Sequence, residues 1–496
     1  DGGVLPLRKD LGTIAVIGPN ADEPDVLLGN YNGAPSDTIT PLRGIREAVP
    51  GTHVIYALGS ELAEGLPVAQ IAPPSLFTTP AGRPGLQADY FDNDSLGGVP
   101  LHTGTDSTVN ARWSGSTPGS DANPGGFGVR WSGYVTVPAT GRYRLRLRGT
   151  MRFELWLDDS LVVSADSAEA DGRPGRPIAV ESVPLALDAG RRYRLRIDAS
   201  ATNGSAQLAL TWVPPAELLR AAAVQAAEDA DAVVLVLGIT PRMEGEEMPL
   251  HIDGFDGGDR TKLALPDPQE QLMRAVVAVG KPTVLVLLNG SPLGVNWASR
   301  HVPAILEAWY PGQAGGTAIA ETLFGDNDPG GRLPVTFYHS ARDLPPFDSY
   351  DMAGRTYRFF NGTPLYPFGY GLSYTTFTYA NLRTTADSVG AGDTVAVSVD
   401  VTNTGQRAGD EVVQLYVRYP ESAVTRPNED LRGFARVTLP PGQTRTVRLR
   451  VPVSSLAYWQ PSRQRWTVES TPVQIAVGSS SADIRLTTMV RVTGGR

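Results

Sequence analysis

The chain has 496 residues, 41% of them apolar, and its 43 lysines and arginines against 52 aspartates and glutamates give a formal net charge of −9. This composition excludes a disordered chain, and the absence of cysteine excludes disulfides, thiol nucleophiles and zinc sites built from cysteine. No apolar run approaches the roughly 20 residues that cross a bilayer, and no basic stripe indicates nucleic acid, so we expect neither a membrane span nor a nucleic-acid partner.

The N-terminal part has the pattern of an α/β domain, in a chain whose length predicts roughly three or four domains. Strands are predicted at Thr13–Ile17 and His53–Ala57, with a short helix between them at Pro41–Val49. Because the sequence begins at Asp1, without Met and without a signal-like segment, we expect a processed or truncated N-terminus.

Residues 85–215 have a different pattern, in which short alternating segments are separated by Gly, Pro, Asp and Asn. Val129–Val137, Tyr143–Leu147 and Tyr193–Ile197 are examples. Turns roughly every 8 to 12 residues are typical of an all-β module. We therefore predict a β-domain inserted into the α/β domain, with residues 70–84 as the linker into it.

The α/β pattern resumes at about Ala216. Continuous β-branched and aliphatic runs predict buried parallel strands at Ala232–Gly238 and Thr283–Asn289, and a third strand at Ala304–Trp309. Helices are predicted at Glu217–Ala230, Pro268–Val279 and Gly315–Phe324. Strands that alternate with helices indicate a doubly wound sheet covered on both faces.

The C-terminal part, about residues 385–494, is again predicted to be all-β. Its alternating segments are Thr394–Thr402, Glu411–Val417, Thr444–Val451 and Val473–Val477. About a hundred residues with this pattern indicate an immunoglobulin-like β-sandwich.

The strongest candidate for chemistry is the acidic loop Met243–Thr261, which holds Glu244, Glu246 and Glu247 within four residues. It follows the predicted strand Ala232–Gly238, and ligands of open α/β sheets bind at the carboxyl ends of strands. Neighbouring carboxylates disfavour each other's ionisation, so one of them could serve as a proton donor. A solvated surface loop gives the same pattern, and the residues alone leave both interpretations open.

Glycoside hydrolysis requires a second carboxylate on the other face of the sugar, and the chain offers no convincing partner. Asp253, Asp256 and Asp259 belong to the same loop, where we expect them to structure it or to bind sugar hydroxyls, with Asp259 and Arg260 as a local ion pair. The five histidines lack the spacing of metal ligands. We therefore expect no metal and no cofactor.

A second notable stretch, Gly354–Tyr374, is dense in aromatic residues and glycine. Aromatic faces can stack on sugar rings, and aromatic residues also pack domains together. We expect the half Tyr366–Tyr374 to pack the α/β domain against the C-terminal sandwich. Arg355 and Tyr357 are the better candidates for binding substrate.

Several segments together resemble glycoside hydrolase family 3: Asp1–Leu7, Ile14–Asp22, Gly258–Arg260, Trp309–Gly316, Asp328–Val335 and Tyr366–Tyr374. They are similar to its α/β sandwich domain and to the fibronectin type III-like domain that follows, and Phe127–Pro138 and Leu155–Asp159 resemble a PA14 domain. The resemblance implies a multidomain α/β plus all-β fold. Its parts are an α/β sandwich from 1–69 and 216–375, a linker at 70–84, a PA14-like insert at 85–215 and a fibronectin type III-like β-sandwich at 376–496.

The resemblance also implies how a site would be divided. In this family an N-terminal TIM-type barrel supplies an aspartate nucleophile and most substrate-binding residues, so the nucleophile is expected outside this sequence. The α/β domain supplies the acid/base, from the loop after the strand that matches Ala232–Gly238. Family sequences there read Glu-x-Glu or Gly-Glu-Gly, and the second acidic position is catalytic. Carried over, that position is Glu246, with Glu244 and Glu247 as alternatives because the loop varies in length.

The function implied is the C-terminal portion of a retaining exo-β-glycosidase, a β-xylosidase or β-glucosidase that releases a terminal sugar from plant cell-wall oligosaccharides. A bacterial, secreted or periplasmic protein is expected. Its partners would be an oligosaccharide substrate and the barrel domain, in the same gene or in a partner chain, and a homodimer is left open. The rival interpretation is a carbohydrate-binding or adhesion protein built of PA14 and β-sandwich modules, without catalysis.

Overall fold

The structure, a computed structural model, describes residues 3–118, 126–166, 177–202 and 205–493. Asp1, which begins the first family-like segment, lies outside the described residues. The chain forms two compact units, one from Asp1–Leu58 with Ala223–Arg496 and the other from Gly59–Ala222. Across the described ranges, no helix is both long and apolar enough to cross a membrane.

The helices and strands follow one another along the chain in four groups. The first group is β1 (Thr13–Ile17), α1 (Pro41–Ala48) and β2 (His53–Ala57). The second is β3 (Gln70–Ile71), β4 (Phe77–Thr78), β5 (Leu86–Phe91), β6 (His102–Asp106), β7 (Asn110–Ser114), β8 (Phe127–Thr136), β9 (Gly141–Gly149), β10 (Arg152–Leu157), β11 (Ser160–Ala165), β12 (Ile178–Glu181), β13 (Leu185–Leu187), β14 (Arg192–Ala201) and β15 (Ser205–Val213). The third is α2 (Ala216–Glu228), β16 (Ala232–Gly238), β17 (His251–Ile252), β18 (Phe255–Asp256), β19 (Asp259–Arg260), α3 (Asp267–Val277), β20 (Thr283–Leu288), α4 (Ala298–His301), β21 (Ala304–Glu307), α5 (Gly315–Phe324) and α6 (Thr356–Phe359). The last is β22 (Phe377–Thr384), β23 (Ser388–Gly390), β24 (Thr394–Asn403), β25 (Gly409–Arg418), β26 (Asp430–Leu439), β27 (Thr444–Pro452), β28 (Tyr458–Gln460), β29 (Arg465–Thr467), β30 (Pro472–Ser480) and β31 (Asp483–Thr493).

The centre of the first unit is a parallel sheet with the strand order β2-β1-β16-β20-β21. Every residue of β16 and β20 is buried, because their continuous runs of Val and Leu face apolar neighbours on both sides of the sheet. Helices α1 and α5 pack on one face through Ile45 and Leu323, and α3 packs on β16. The predicted parallel α/β sheet is confirmed. The third strand, however, ends at Glu307, two residues before the predicted end at Trp309.

The second unit consists mainly of β-strands, with the first residues of α2 at its end, and its strands form two sheets. One has the order β11-β10-β14-β8-β5-β6, with β4 paired to β8, and the other has the order β12-β9-β15-β3, with β7 and β13 at its sides. One apolar cluster lies between them and includes Trp131, Tyr143 and Phe153. The segment expected to be a linker contains β3 and β4, which pair with β15 and β8 and so belong to these sheets.

The C-terminal part is a β-sandwich of a sheet β22-β24-β27 and a sheet β23-β31-β30-β25-β26. Strand β24 alternates between buried and half-buried residues along its length, as the sequence predicts. Buried valines, leucines and isoleucines from both sheets form a single cluster. The predicted β-sandwich is confirmed.

Within the aromatic stretch Gly354–Tyr374, the half Tyr366–Tyr374 joins the α/β sheet to this sandwich. The Tyr374 hydroxyl donates to the carbonyl of Thr322 in α5 over 2.6 Å, and the Gln414 amide in β25 donates to the carbonyl of Gly369 over 3.0 Å. The stretch therefore packs two parts of the first unit together, as expected from its sequence.

Candidate active site

The carboxyl edge of the parallel sheet brings together loops that are far apart in sequence. Counted in chain order within the sheet, the strands lie in the order 2-1-3-4-5, so the direction of winding changes between β1 and β16. Ligands of open α/β sheets bind at the crevice formed where the order reverses. Two loops start at this crevice: the loop after β1, which contains Asn30 and Tyr31, and the acidic loop after β16.

The end of β16 is held tightly. The side-chain amide of Gln269 in α3 accepts from the Gly238 N–H over 2.8 Å and donates to the Gly238 carbonyl over 2.7 Å. Gly238 has φ 138°, and a Cβ there would overlap the carbonyl oxygen of Leu288 in β20. The acidic loop thus begins from a fixed point.

The loop itself is more regular than its glycines and aspartates indicate. It folds back through β17, β18 and β19, a three-stranded antiparallel meander of two-residue strands. Gly254, Gly257 and Gly258 all have positive φ values, which let the chain turn tightly between these strands. The Gly245 N–H also donates to the carbonyl of Gly258 over 3.3 Å, which closes the loop on itself.

Glu244 is the anchor of the loop. One carboxylate oxygen accepts from the Gly290 N–H over 2.7 Å and from the Tyr310 hydroxyl over 2.6 Å, and the other accepts from the Ser291 hydroxyl over 2.7 Å. These partners follow β20 and β21. Burial raises the pKa of Tyr310, and the Glu244 carboxylate raises it further, so the phenol stays protonated and donates.

Arg260 closes the same network from the far end of the loop. Its guanidinium donates to the Ser291 hydroxyl over 3.0 Å and to the Pro292 carbonyl over 2.6 Å. Burial lowers the pKa of Arg260, and the nearby Glu244 charge opposes that shift. Among the described residues, no ion pair joins Arg260 to its neighbour Asp259, so the expected local ion pair is not formed.

Glu246 has quite different surroundings. Its side chain is exposed, and its Oε2 accepts from the Tyr31 hydroxyl over 2.6 Å. Tyr31 is 89% exposed, and the hydrogen bond to Glu246 raises the pKa of its phenol. The backbone beside it is tied down, because the Asn30 amide donates to the Glu244 carbonyl over 3.0 Å. Glu246 is therefore an accessible carboxylate on a supported backbone.

Glu247 is exposed as well, at φ 47°, in the left-handed region that disfavours side chains. None of the described side chains or backbone groups donates a hydrogen bond to it. Two aspartates of the loop pair with basic side chains at its surface: Asp253 pairs with Lys262 at 2.6 Å, and Asp256 pairs with His251 at 2.6 Å. Glu246 is thus the exposed glutamate of the loop that has a hydrogen-bond partner.

Glu307 is a residue of this edge that the sequence analysis missed. It ends β21, its Oε1 accepts from the Trp309 N–H over 3.2 Å, and its Oε2 is buried, with the Asn289 side chain beside the carboxyl group. Burial raises the pKa of Glu307 to about 8. The sequence signal for it is a carboxylate at the end of an apolar strand, two residues before Trp309.

Arg355 and Tyr357 lie in other surroundings than the acidic loop. The Arg355 guanidinium donates to the carbonyls of Ser349 and Asp351, and so holds its own segment together. The Tyr357 ring stacks on Phe368 at 4.2 Å, and its hydroxyl accepts from the Leu431 N–H over 3.1 Å. No hydrogen bond joins either residue to Glu244, Glu246 or Glu247 in the described ranges. Their role in substrate binding stays a prediction.

The chemistry that this edge supports is proton transfer by a carboxylic acid. Glu246 reaches solvent and can meet a substrate oxygen, while Glu244 and Arg260 fix the loop that carries it. Among the described residues, no group of three or more His, Asp or Glu side chains is arranged to hold a metal ion.

A family model described as the glycosyl hydrolase family 3 C-terminal domain matches residues 1–374, and a fibronectin type III-like domain model matches residues 411–481. The chain is 33% identical to "Xylan 1,4-beta-xylosidase" of Xylanibacter ruminicola over 97% of this chain and 54% of that protein. It is 38% identical to "Periplasmic beta-glucosidase" of Salmonella typhimurium over 53% of this chain and 34% of that protein.

The fold is similar to that of a solved structure, the beta-glucosidase from Kluyveromyces marxianus in complex with glucose. The TM-score is 0.65 and the identity 28%, over 99% of this chain and 60% of that one. The chain therefore spans 54% of the length of the Xylanibacter relative and 60% of the length of the Kluyveromyces structure.

Proposed function

Because this chain belongs to glycosyl hydrolase family 3, we propose that it forms the C-terminal portion of a retaining, exo-acting β-glycosidase. The substrate would be a plant cell-wall oligosaccharide, from whose non-reducing end a xylose or glucose is released. The names of the relatives, a β-xylosidase and β-glucosidases, support this class of sugar.

We propose Glu246 as the general acid/base. The observation that supports it best is the contrast within the loop: Glu246 is exposed beside Tyr31, whereas Glu244 accepts hydrogen bonds from three donors. A general acid has to carry a proton and reach the glycosidic oxygen. Glu244 has both oxygens occupied as acceptors, so protonating it would break a bond that anchors the loop.

In the proposed reaction, Glu246 donates its proton to the oxygen of the leaving group as the glycosidic bond breaks. The resulting carboxylate then takes a proton from water, which attacks the glycosyl–enzyme ester and releases the sugar. The aspartate nucleophile that forms this ester is proposed to come from a barrel domain outside the present sequence. That the matched proteins are longer than this chain supports a further domain in the complete enzyme.

Domain boundaries and a cellular location are also proposed for this protein. The β unit Gly59–Ala222 is proposed to contain a PA14-like insert, with the boundaries 85–215, and the sandwich to begin near residue 376. A secreted or periplasmic location is proposed, in keeping with the name of the Salmonella relative, a periplasmic β-glucosidase.

Leaving-group chemistry tests the acid/base assignment in the complete enzyme that contains this chain. A glycoside with a good leaving group, such as a 2,4-dinitrophenyl β-xyloside, needs little help from an acid, whereas xylobiose or cellobiose needs much. Glu246→Gln should therefore lower kcat/KM for the disaccharide about 100-fold or more. It should lower kcat/KM for the dinitrophenyl substrate, which reports formation of the glycosyl–enzyme, far less.

Glu244→Gln is the matched control, since it neutralises a glutamate of the same loop that serves as an anchor. It should lower the rates on both substrates by similar factors. Equal losses on both substrates in Glu246→Gln would contradict the assignment. Saccharide binding without turnover on any substrate, with the barrel domain present, would support the adhesion protein instead.

A further inference from the structure

A cavity of about 360 Å³ lies between the aromatic stretch and the C-terminal sandwich, within the first unit. Its wall contains Tyr357, Phe360 and Phe368 from the aromatic stretch. From the sandwich come Arg418 and Glu429. None of the glutamates of the acidic loop lines it. Sites for small molecules measure roughly 300 to 1,000 Å³, so the volume suits one or two sugar rings.

One polar group in the wall lacks a partner. Thr336 is 6% exposed, and its Oγ1 makes no hydrogen bond to any described residue. A buried hydroxyl without a partner destabilises the folded protein by about 1 to 3 kcal/mol. Since Thr336 lines the cavity, a hydroxyl-bearing ligand there would supply the missing hydrogen bond.

The cavity also contains a charge pair that has spare hydrogen-bonding groups. The Arg418 guanidinium donates twice to Glu429 Oε2, over 2.9 and 2.8 Å. Within the described ranges, Glu429 Oε1 and Arg418 Nη1 make no side-chain hydrogen bond, so they remain available as one acceptor and one donor. Because the two charges balance, the pair favours a neutral polar ligand over an ion.

The aromatic part of the wall is fixed in position. Tyr357 and Phe368 stack at 4.2 Å with an interplanar angle of 14°, and Phe360 stands at 85° to Tyr338. The Asn428 amide donates to the Phe360 carbonyl over 3.2 Å, which ties the aromatic stretch to the sandwich. A rigid aromatic wall opposite donors and acceptors matches a pyranose, which has apolar C–H faces and a rim of hydroxyls.

We propose that this cavity is a saccharide-binding site, in addition to the acidic loop, that takes one or two neutral pyranose rings. The aromatic wall contacts the face of a ring, while Thr336, Arg418 and Glu429 bind its hydroxyls. The ligand class follows from the cavity, and the choice of xylose and glucose as probes rests on the proposed function.

The test is a titration of the chain with D-xylose, D-glucose and xylobiose, followed by ligand-observed NMR. Thr336→Val removes one hydrogen bond while keeping the shape of the side chain, and should weaken binding about threefold to tenfold. Phe360→Ala removes part of the aromatic wall and should weaken binding about tenfold. Glucuronate, which carries a charge, should bind more weakly than glucose.

Two variants serve as controls. Thr78→Val removes another buried threonine hydroxyl without a partner, in the other unit, and should leave binding unchanged. Glu246→Gln should also leave it unchanged. Absence of binding, binding by both cavity variants as strong as that of the parent chain, or loss of binding in Glu246→Gln would overturn the proposal. Failure of the enzyme to hydrolyse any glycoside would instead overturn the proposed function, since the binding measurement does not depend on turnover.

Discussion

At the residue scale, three glutamates at one edge of the sheet differ only in their surroundings. Glu244 accepts from three donors, Glu246 is exposed beside one tyrosine, and Glu307 has a buried carboxylate oxygen. The first arrangement fixes a loop, the second leaves a carboxylate accessible to solvent, and the third raises the pKa of a carboxyl group to about 8. Environment, not residue type, separates these roles.

Glu307 predicts a pH dependence of stability. Its pKa is raised from 4.5 to about 8 in the folded protein, so the folded state holds a proton that the unfolded state releases above about pH 4.5. Its contribution is fully present below pH 4.5 and is lost as the pH rises through about 8. The free energy of unfolding should fall by at most about 1.4 kcal/mol per pH unit in this window.

Glu307→Gln is the variant that checks this dependence, because it keeps the shape of the side chain and cannot ionise. Urea unfolding from pH 5 to pH 9 should show the variant gaining stability over the parent chain as the pH rises. Parallel pH profiles for the two proteins would show that Glu307 is ionised, or solvated, in the folded state.

At the element scale, the acidic loop depends on how β16 ends. Gln269 in α3 satisfies both backbone groups of Gly238, and Gly238 passes too close to β20 to carry a side chain. A loop that starts from a fixed strand end needs few further contacts to hold its backbone. Glu244 and Arg260 provide them through the loop after β20.

Gln269→Leu should therefore loosen the start of the loop. The change has nearly the same volume and leaves the N–H and carbonyl of Gly238 buried without partners, at a cost of about 1 to 3 kcal/mol for each group. Urea unfolding should show a loss of about 2 to 6 kcal/mol. Gln406→Leu, at an exposed glutamine elsewhere in the first unit, should change stability by less than about 0.5 kcal/mol. Similar effects of the two substitutions would show that the clamp contributes little.

At the scale of the whole molecule, the α/β domain and the C-terminal sandwich of the first unit share a buried ion pair. Arg332 and Glu411 lie 3.0 Å apart, with side chains that are 7% and 5% exposed, and Glu411 also accepts from the Tyr379 hydroxyl over 2.6 Å. Burial, followed by the nearby Glu411 charge, raises the pKa of Tyr379. The aromatic stretch packs against the same part of the sandwich.

Breaking this pair from one side should destabilise the junction strongly. Arg332→Met leaves the Glu411 charge buried and should lower the free energy of unfolding by about 3 to 5 kcal/mol. The double variant Arg332→Met/Glu411→Gln should recover most of that loss, because the amide is neutral and still accepts from Tyr379. Arg8→Met, at an exposed pair, should have no measurable effect. A double variant as unstable as the single one would show that the pair contributes through packing, not charge.

The sequence was informative wherever a local pattern is sufficient. Continuous runs such as Ala232–Gly238 predicted buried parallel strands, and the alternation of Thr394–Thr402 predicted a strand of the sandwich, because the hydrophobic period reflects which faces are covered. Residues 70–84 were predicted to be a linker, and they contain the strands β3 and β4. Their pairing with β15 and β8 joins residues far apart in the chain, and such short segments have no periodicity of their own.

By itself, the sequence determined the α/β and all-β parts of this chain, its resemblance to a glycoside hydrolase family, and the loop with the clustered glutamates. Only the tertiary structure decided which of these glutamates is an anchor and which is accessible, that one carboxylate oxygen of Glu307 is buried at the same edge, and that Tyr357 lines a cavity at the sandwich. The physical reason is that hydrogen-bond partners and burial depend on neighbours in space. Gly290, Ser291 and Tyr310 are 46 to 66 residues from Glu244 along the chain, and only the parallel sheet brings them to it.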